Sequence, residues 1–259
     1  MIREITVLPG KDKTGSLENF SEITLKAGET ISIVGPTGSG KTAFISDIEL
    51  LAQGDTSTGR HVLINGQPPS DELRYDPAMK PIAMITQNTK CFADLTAEEF
   101  LRIHARARKM HDKEIVYETI DLANKFTGER IRKDMKVTVL SGGQTRSLMI
   151  ADAIMIGAAP IILLDEIENA GIFKQEVIRL IQNTGKIVVF VTHDPVIALL
   201  TQKRIIMGNG AVRKVLSQDE SEVRAAQNLI ELDKRVGIIR EKLRAGHVIT
   251  KEMISVNFG

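Results

Sequence analysis

Four short runs of apolar, mostly β-branched residues are separated by segments with helical periodicity. The runs are Thr30–Val34, Ile82–Ile85, residues 161–164 and Ile187–Val191. Short apolar runs bounded by helices are typical of strands that are covered on both faces. Because such strands alternate here with helices, the pattern predicts an α/β fold with a parallel core sheet.

The N-terminal part has a different pattern. Residues 5–8 and His61–Ile64 are apolar runs outside the predicted parallel sheet, and the second is followed by Asn65 and Gly66. An Asn-Gly pair is a strong turn signal. This region is therefore predicted to form an antiparallel β subdomain.

The middle of the chain, from Thr96 to about Phe126, is polar and rich in Ala, Glu, Arg and Lys. Thr96 followed by Glu99 matches a capping box at a helix start. Asp112 is predicted to cap a second helix that runs to about Phe126. Since no β-branched core run interrupts this stretch, about residues 88–156 are predicted to form an inserted α-helical subdomain.

The tail, residues 217–259, is predicted to be a helical C-terminal extension of a domain that spans residues 1–216. Its apolar residues recur at alternating intervals of three and four, as in heptad patterns, and form a seam of Ala225, Leu229, Leu232, Val236, Ile239 and Leu243. Two interpretations stay open: this seam packs on the parent domain, or it pairs with a second chain.

Composition limits the classes of function. The net charge is +1, aromatic residues are 4% and tryptophan is absent. Neither general electrostatic attraction nor base stacking favours nucleic acid, so no nucleic-acid partner is expected. The N-terminus lacks an apolar h-region and no apolar run is long enough to span a bilayer. The expected location is cytoplasmic.

Residues 35–42 read GPTGSGKT and match the phosphate-binding pattern G-x-x-x-x-G-K-[ST]. Glycines let the loop turn tightly and bring backbone N–H groups to phosphate oxygens. The lysine supplies a cation for the outer phosphates, and the last hydroxyl can hold Mg²⁺. The candidate nucleotide-binding residues here are Gly35, Pro36, Thr37, Gly38, Ser39, Gly40, Lys41 and Thr42.

Carboxylates and a histidine follow two of the predicted strands. Asp165 and Glu166 come directly after the run 161–164, and His193 comes soon after Ile187–Val191. Ligands of parallel α/β sheets bind beyond the carboxyl ends of the strands. Asp165 is therefore a candidate Mg²⁺ ligand, Glu166 a candidate base for an attacking water, and His193 a candidate γ-phosphate contact.

A second helix start is also suited to an anion. Ser141 is a good N-cap, and the glycines after it leave backbone N–H groups uncovered. Either one nucleotide is shared by both anion sites of the chain, or each site faces a different copy of the protein. The candidate residues are Ser141, Gly142, Gly143 and Gln144.

Together these motifs resemble the ATP-binding cassette (ABC) ATPases over about residues 1–216. Residues 35–42 match the family's Walker A loop, residues 161–166 its Walker B strand and catalytic glutamate, and residues 140–144 its signature. Gln87 matches the glutamine loop and His193 the switch histidine. The resemblance implies a P-loop NTPase fold.

The resemblance also implies a mechanism. Two copies would pair head to tail, with ATP between the phosphate loop of one and Ser141, Gly142 and Gln144 of the other. Lys41, Glu166 and His193 would be catalytic. Mg²⁺ would be held by Thr42, Gln87 and Asp165, the ligands that the family pattern indicates.

Several positions depart from the family pattern. No aromatic residue lies between Met1 and Asn19, so adenine would rest on aliphatic groups such as Val7, and weak discrimination of ATP from GTP is expected. Ile172 stands where the family has an interface aspartate. Asp152 replaces an arginine, and the interval between Glu166 and His193 is short for the family.

The resemblance favours the ATP-binding subunit of a transporter whose permease is a separate membrane protein. Such a chain would be cytoplasmic and bound at the inner face of the cell membrane. The alternative is a soluble ABC ATPase that remodels or assembles a cytoplasmic protein partner. Transport is expected for single-cassette chains of this length, whereas the altered position at Ile172 and the C-terminal seam favour the alternative.

Overall fold

The computed structural model describes residues 1–170 and 173–250. It contains two sheets, one of three strands and one of six. Single turns of 3-10 helix lie at Val137–Val139 and Ile167–Ala170. The helices and strands in chain order are β1 (Glu4–Leu8), β2 (Ile23–Lys26), β3 (Thr30–Val34), α1 (Lys41–Glu49), β4 (His61–Ile64), α2 (Asp71–Tyr75), β5 (Ile82–Ile85), α3 (Ala97–Ala107), α4 (Glu114–Phe126), α5 (Gly142–Met155), β6 (Ile161–Asp165), α6 (Lys174–Gln182), β7 (Ile187–Val191), α7 (Pro195–Leu200), β8 (Lys203–Gly208), β9 (Ala211–Ser217) and α8 (Glu220–Arg244).

The large sheet has the order β5-β6-β7-β3-β8-β9, and its first five strands are parallel. The predicted parallel core sheet is confirmed. Strand β9 runs antiparallel to β8, so the sheet is mixed at that edge. Because β6, β7 and β3 are neighbours, their carboxyl ends lie side by side: Asp165 is in register with Val191, and Val191 with Ile33.

Strand β6 shows why the core strands lack an alternation of apolar and polar residues. Ile162 and Leu164 pack into a core shared with α5 and the helical region. Ile161 and Leu163 pack into a second core, shared with α1 and the small sheet. All four side chains are fully buried. Apolar contacts on both faces favour an uninterrupted apolar run.

The small sheet has the order β2-β1-β4 and is antiparallel, which confirms the predicted antiparallel β subdomain. Strand β1 is central and pairs with β4, as the sequence pattern indicates, and also with β2. Asn65 and Gly66 both have positive φ, 49° and 76°, and close a turn in which Ile64 bridges to Gln67.

The helical region consists mainly of α3, α4 and α5. Thr96 and Glu99 form the predicted capping box of α3. Helix α4 begins one residue later than Asp112 predicts: Lys113 is the N-cap, and the Asp112 carboxylate accepts the Glu114 N–H at 2.9 Å. The signature helix α5 begins at Gly142 and packs along α4.

Helix α8 packs on α7, and near its start Glu222 forms an ion pair with Arg204 of β8. Ala226 is buried there, whereas the neighbouring seam residue Ala225 is exposed. Towards the far end of the helix, Val236 and Leu243 are 44% and 57% exposed. The N-terminal half of the extension therefore packs on the parent domain, and pairing of the exposed half with a second chain stays a prediction. In the described ranges no helix combines the length and apolar character needed to cross a bilayer.

Candidate functional site

The phosphate loop connects β3 to α1. Its last glycine, Gly40, is the N-cap of α1 with φ 100°, and a Cβ there would lie 2.7 Å from Gly210 Cα. A Cβ on Gly35 would lie 2.5 Å from the Met207 carbonyl oxygen. The end of β8 and the turn after it thus press against the loop, and at these two positions only glycine fits.

Lys41 is buried beneath the loop. Its Nζ donates hydrogen bonds to the carbonyl oxygens of Gly35 at 2.8 Å and of Pro36 at 3.1 Å. The Ser39 hydroxyl is also buried, and within the described residues it has no hydrogen-bond partner. Among the described residues this buried cation donates to neutral carbonyls alone, and the Ser39 hydroxyl is unused. Such donors suit a strong anionic acceptor such as phosphate.

The carboxylate end of β6 lies at the same sheet edge. Glu166 has φ 50°, an uncommon conformation for a residue with a side chain, and its N–H donates to the Val191 carbonyl at 2.9 Å. His193 Nε2 lies 3.6 Å from Glu166 Oε1. The strained backbone therefore aims Glu166 at the histidine that follows β7.

Asp165 lies just before Glu166 at the end of β6. Burial, and then the negative charges of Glu166 and Glu168, raise the pKa of Asp165, and Lys41 opposes this effect. Three carboxylates beside one buried lysine, Lys41, leave net negative charge at the sheet edge. Carboxylate oxygens in such a setting are suitable ligands for Mg²⁺.

Glu168 has a positioning role that the sequence motifs do not indicate. Its Oε1 accepts hydrogen bonds from the Thr192 hydroxyl at 2.8 Å and from the His193 N–H at 2.9 Å. These bonds tie the segment that carries His193 to the turn after Glu166. The only sequence signal is an acidic residue two positions after a strand-end glutamate.

The signature residues are bonded within their own region. The Ser141 hydroxyl accepts the Gln144 N–H at 3.3 Å, and the Gln144 side chain accepts the Ser141 N–H at 2.9 Å, a capping box at the start of α5. The Ser141 hydroxyl also donates to Glu129 Oε2 at 2.9 Å. Gln144 Nε2 donates to the Arg130 carbonyl at 3.3 Å.

Arg146, one turn into α5, is another residue that the motifs do not single out. Its side chain is mostly buried, and its Nε donates to the Gly142 carbonyl at 3.0 Å. One guanidinium nitrogen, Nη1, has no hydrogen-bond partner in the part of the chain that the structure describes. Burial lowers the pKa of Arg146. The guanidinium adds positive charge close to the start of the signature helix.

The structure brings together some of the predicted site residues and not others. One edge of the large sheet carries Lys41, Thr42, Asp165, Glu166 and His193. Gln87 is exposed in the loop after β5, the edge strand beside β6, and residues 141–144 belong to the helical region.

Two departures from the family pattern have different outcomes. The interface position Ile172 lies outside the described residues. Asp152 Oδ2 lies 2.8 Å from His104 Nδ1, which links α5 to α3.

Comparisons with known proteins agree with this geometry. The family model described as ABC transporter matches residues 18–169. An uncharacterized ABC transporter ATP-binding protein of Methanocaldococcus jannaschii is 49% identical over 255 residues, covering 98% of each chain. The thiamine import ATP-binding protein ThiQ of Brucella suis is 30% identical over 198 residues, 74% of this chain and 79% of that protein.

Solved structures have the same fold. A bacterial ABC transporter cassette, solved as a dimer, has a TM-score of 0.61 at 25% identity and covers 83% of this chain and 99% of its own. CbiO1 of Clostridium perfringens, part of an ABC transporter complex, has a TM-score of 0.63 at 21% identity and covers 93% of this chain and 100% of its own. The chain belongs to the ABC transporter family, among its ATP-binding proteins, and is an ATPase.

Proposed function

We propose that the protein binds and hydrolyses Mg-ATP in a head-to-tail dimer and powers a transporter whose permease is a separate membrane protein. The observation that supports this most is the convergence of Lys41, Asp165, Glu166 and His193 at the ends of adjacent parallel strands. This arrangement brings a cation for phosphate, a metal-binding carboxylate and a base to one edge.

Mg²⁺ would be held by Thr42, Asp165 and Gln87, and it would neutralise charge on the phosphates. The donor set consists of hydroxyl, carboxylate and amide oxygens, which Mg²⁺ prefers. Burial is the main cause of the raised pKa of Asp165, and the negative charges of Glu166 and Glu168 add to it. A bound cation would compensate these carboxylates.

Glu166 would orient an attacking water and accept its proton. His193 would contact the terminal phosphate, at a distance from Glu166 that allows both to touch the reacting groups. Glu168 keeps the backbone of His193 in place through the His193 N–H. The phosphate-loop residues from Gly35 to Thr42 would bind the phosphates.

Residues Ser141, Gly142, Gly143 and Gln144 of a second copy would complete the site. They lie at the start of α5, whereas Lys41 and Glu166 follow strands of the large sheet, so a second copy that faces this site would supply them. We assign the ATPase domain to residues 1–216, with its helical subdomain at about residues 88–156, and the helical extension to residues 217–259.

The transport role rests on the relatives. Both of the relatives described above have names that denote ABC transporter or import ATP-binding proteins. This favours a permease partner, and a cytoplasmic location at the inner face of the cell membrane, over a soluble ATPase that remodels another protein. Recovery of a polytopic membrane protein with the native chain, and of no soluble enzyme, would support this choice.

The substitution Glu166→Gln tests the hydrolytic dimer. Loss of the base should slow hydrolysis by about 10²–10⁴-fold while ATP binding persists. With Mg-ATP the variant should elute from a sizing column as a dimer, and without nucleotide as a monomer. Glu118→Gln, on an exposed turn of α4, is the matched control and should behave as the wild type. A Glu166→Gln variant that hydrolyses ATP at the wild-type rate, or stays monomeric with ATP, contradicts the proposal.

A further inference from the structure

The loop between β1 and β2 has a built conformation that exposes a lysine at its tip. The Asp12 carboxylate accepts hydrogen bonds from the Thr14 N–H at 2.8 Å, the Thr14 hydroxyl at 2.6 Å and the Ser16 N–H at 3.0 Å. The Thr14 hydroxyl is the main cause of the lowered pKa of Asp12. A carboxylate that bonds three donors of its own loop fixes the backbone on both sides of Lys13.

This loop rests on the turn that supports the phosphate loop. The Lys13 N–H donates to the Asn209 carbonyl at 3.2 Å, and a Cβ on Gly210 would lie 2.8 Å from Lys13 Cγ. Gly210 in turn lies against Gly40, the N-cap of α1. The backbone of Lys13 is thus held in a fixed relation to the phosphate loop.

A buried ion-pair network holds the same parts together from below. Arg60 has no exposed side-chain surface; it pairs with Glu18 at 2.7 Å and Asp47 at 2.9 Å, and donates to the Gly210 carbonyl at 2.8 Å. Glu18 also accepts the Gly10 N–H, at the base of the Lys13 loop. The network therefore ties the loop, the β8–β9 turn and α1 into one unit.

The Lys13 side chain reaches from this unit onto the phosphate loop. Its Nζ donates to the Gly38 carbonyl at 2.6 Å, in the middle of the loop, whereas Lys41 bonds to the loop's first two carbonyls. Lys13 is exposed, and Lys41 is buried. A solvated ammonium bonded to one neutral carbonyl can exchange it for a phosphate oxygen, which forms a stronger, charge-assisted bond.

We propose that Lys13 is a second lysine of the nucleotide site, which contacts the phosphate chain from the solvent side of the phosphate loop. This inference rests on the proposed function. Because the chain offers no aromatic residue before Phe20 for base stacking, Lys13 provides affinity that depends on the phosphates and not on the base. The protein accordingly selects nucleoside triphosphates by charge and accepts adenine and guanine alike.

The test compares the affinities of ATP and GTP by calorimetric titration at low and moderate salt. Lys13→Ala should weaken both nucleotides by the same factor, about 5- to 20-fold, because solvent exposure of Lys13 reduces the contribution of its charge-assisted hydrogen bond. The dependence of affinity on salt should become shallower, because one cation fewer contacts the phosphates. Lys13→Arg should retain most of the affinity.

Lys11→Ala is the matched control, since Lys11 is exposed on the same loop. Its affinities should equal those of the wild type, and thermal unfolding should show that all variants are folded. Undiminished ATP binding by Lys13→Ala, or a loss for ATP alone, overturns the role of Lys13 while wild-type binding leaves the proposed function standing. Absence of nucleotide binding by the wild type overturns both.

Discussion

The phosphate loop and the start of α5 are both helix N-termini beside glycines, yet they differ in hydrogen bonding. Within residues 1–170 and 173–250, the donors of the phosphate loop lack charged acceptors, whereas the polar groups at the start of α5 are already bonded. At the phosphate loop the N-cap is Gly40, which offers no side chain, and Lys41 donates its hydrogen bonds to two neutral carbonyls. At α5 a complete capping box satisfies the helix start, and the Ser141 hydroxyl is bonded to a carboxylate, that of Glu129.

This difference indicates an order of events. An anion that enters the phosphate loop gains hydrogen bonds to donors with weak or no acceptors, so binding there requires little rearrangement. An anion that approaches Ser141 must first displace the negatively charged Glu129. We therefore expect one chain to bind nucleotide through its phosphate loop, and the signature residues to engage only when a second copy brings the nucleotide to them.

Lys41→Ala should have the largest effect on binding. Hydrogen bonds to charged groups contribute about 1.5–3 kcal/mol, so the affinity for ATP should fall by about 10- to 100-fold. Titration of the monomeric protein at low concentration measures this. Lys26→Ala, which removes an exposed lysine from the end of β2, should leave the affinity unchanged. Equal affinities of Lys41→Ala and the wild type for ATP would contradict the role of Lys41 as a phosphate-binding group.

Ser141→Ala should leave the ATP affinity of the monomer unchanged and weaken the ATP-dependent dimer by about 5- to 10-fold, the loss of one hydrogen bond to phosphate. The dimer can be measured by sedimentation in the Glu166→Gln background. The change also removes a helix cap, at a cost of about 1 kcal/mol in stability.

Thr96→Ala is the control for that cost. It removes the equivalent capping residue from α3, outside the signature, so it should lower stability similarly without changing the dimer. If both variants weaken the dimer equally, Ser141 acts through helix stability and not through contact with nucleotide.

Asp165→Asn should raise stability in the absence of ligands. The folded-state pKa of Asp165 lies above the unfolded value, so the free energy of unfolding decreases as pH rises through that folded pKa. At pH values above that folded-state pKa, the melting temperature of Asp165→Asn should exceed that of the wild type by a few degrees. Mg²⁺ should narrow the gap by stabilising only the wild type. If Asp165→Asn were less stable than the wild type at neutral pH, the carboxylate of Asp165 would not be a destabilising charge in the ligand-free protein.

Glu129→Gln should have the smallest effect. It removes the negative charge beside Ser141 while keeping an acceptor for the hydroxyl, and exposed charge interactions contribute about 0.2–1 kcal/mol. The ATP-dependent dimer should become about 2- to 5-fold tighter at low salt, with the gain lost at high salt. A weaker dimer would mean that Glu129 supports the signature and does not compete with the nucleotide.

The local features of this protein could be predicted from its sequence. The runs at β3, β5 and β7 have the bounds that their β-branched residues predict, because burial on both faces leaves a continuous apolar signal. The capping boxes at Thr96 and Ser141 depend on residues only three positions apart, so short-range chemistry determines both helix starts. The phosphate loop is recognisable because its whole pattern lies in eight consecutive residues, although the contacts that require Gly35 and Gly40 come from the distant Met207 and Gly210.

What the tertiary structure alone decided are contacts between residues distant in the chain. Periodicity shows that α8 has an apolar side, but only packing shows that the helix contacts α7 and buries Ala226 while Val236 remains exposed. The strand order brings His193 to Glu166, and packing brings Lys13 to Gly38 and Glu129 to Ser141. Such contacts depend on loop closure and on the arrangement of whole elements, and a single exposed lysine or glutamate carries no sequence signal of the partner it will meet.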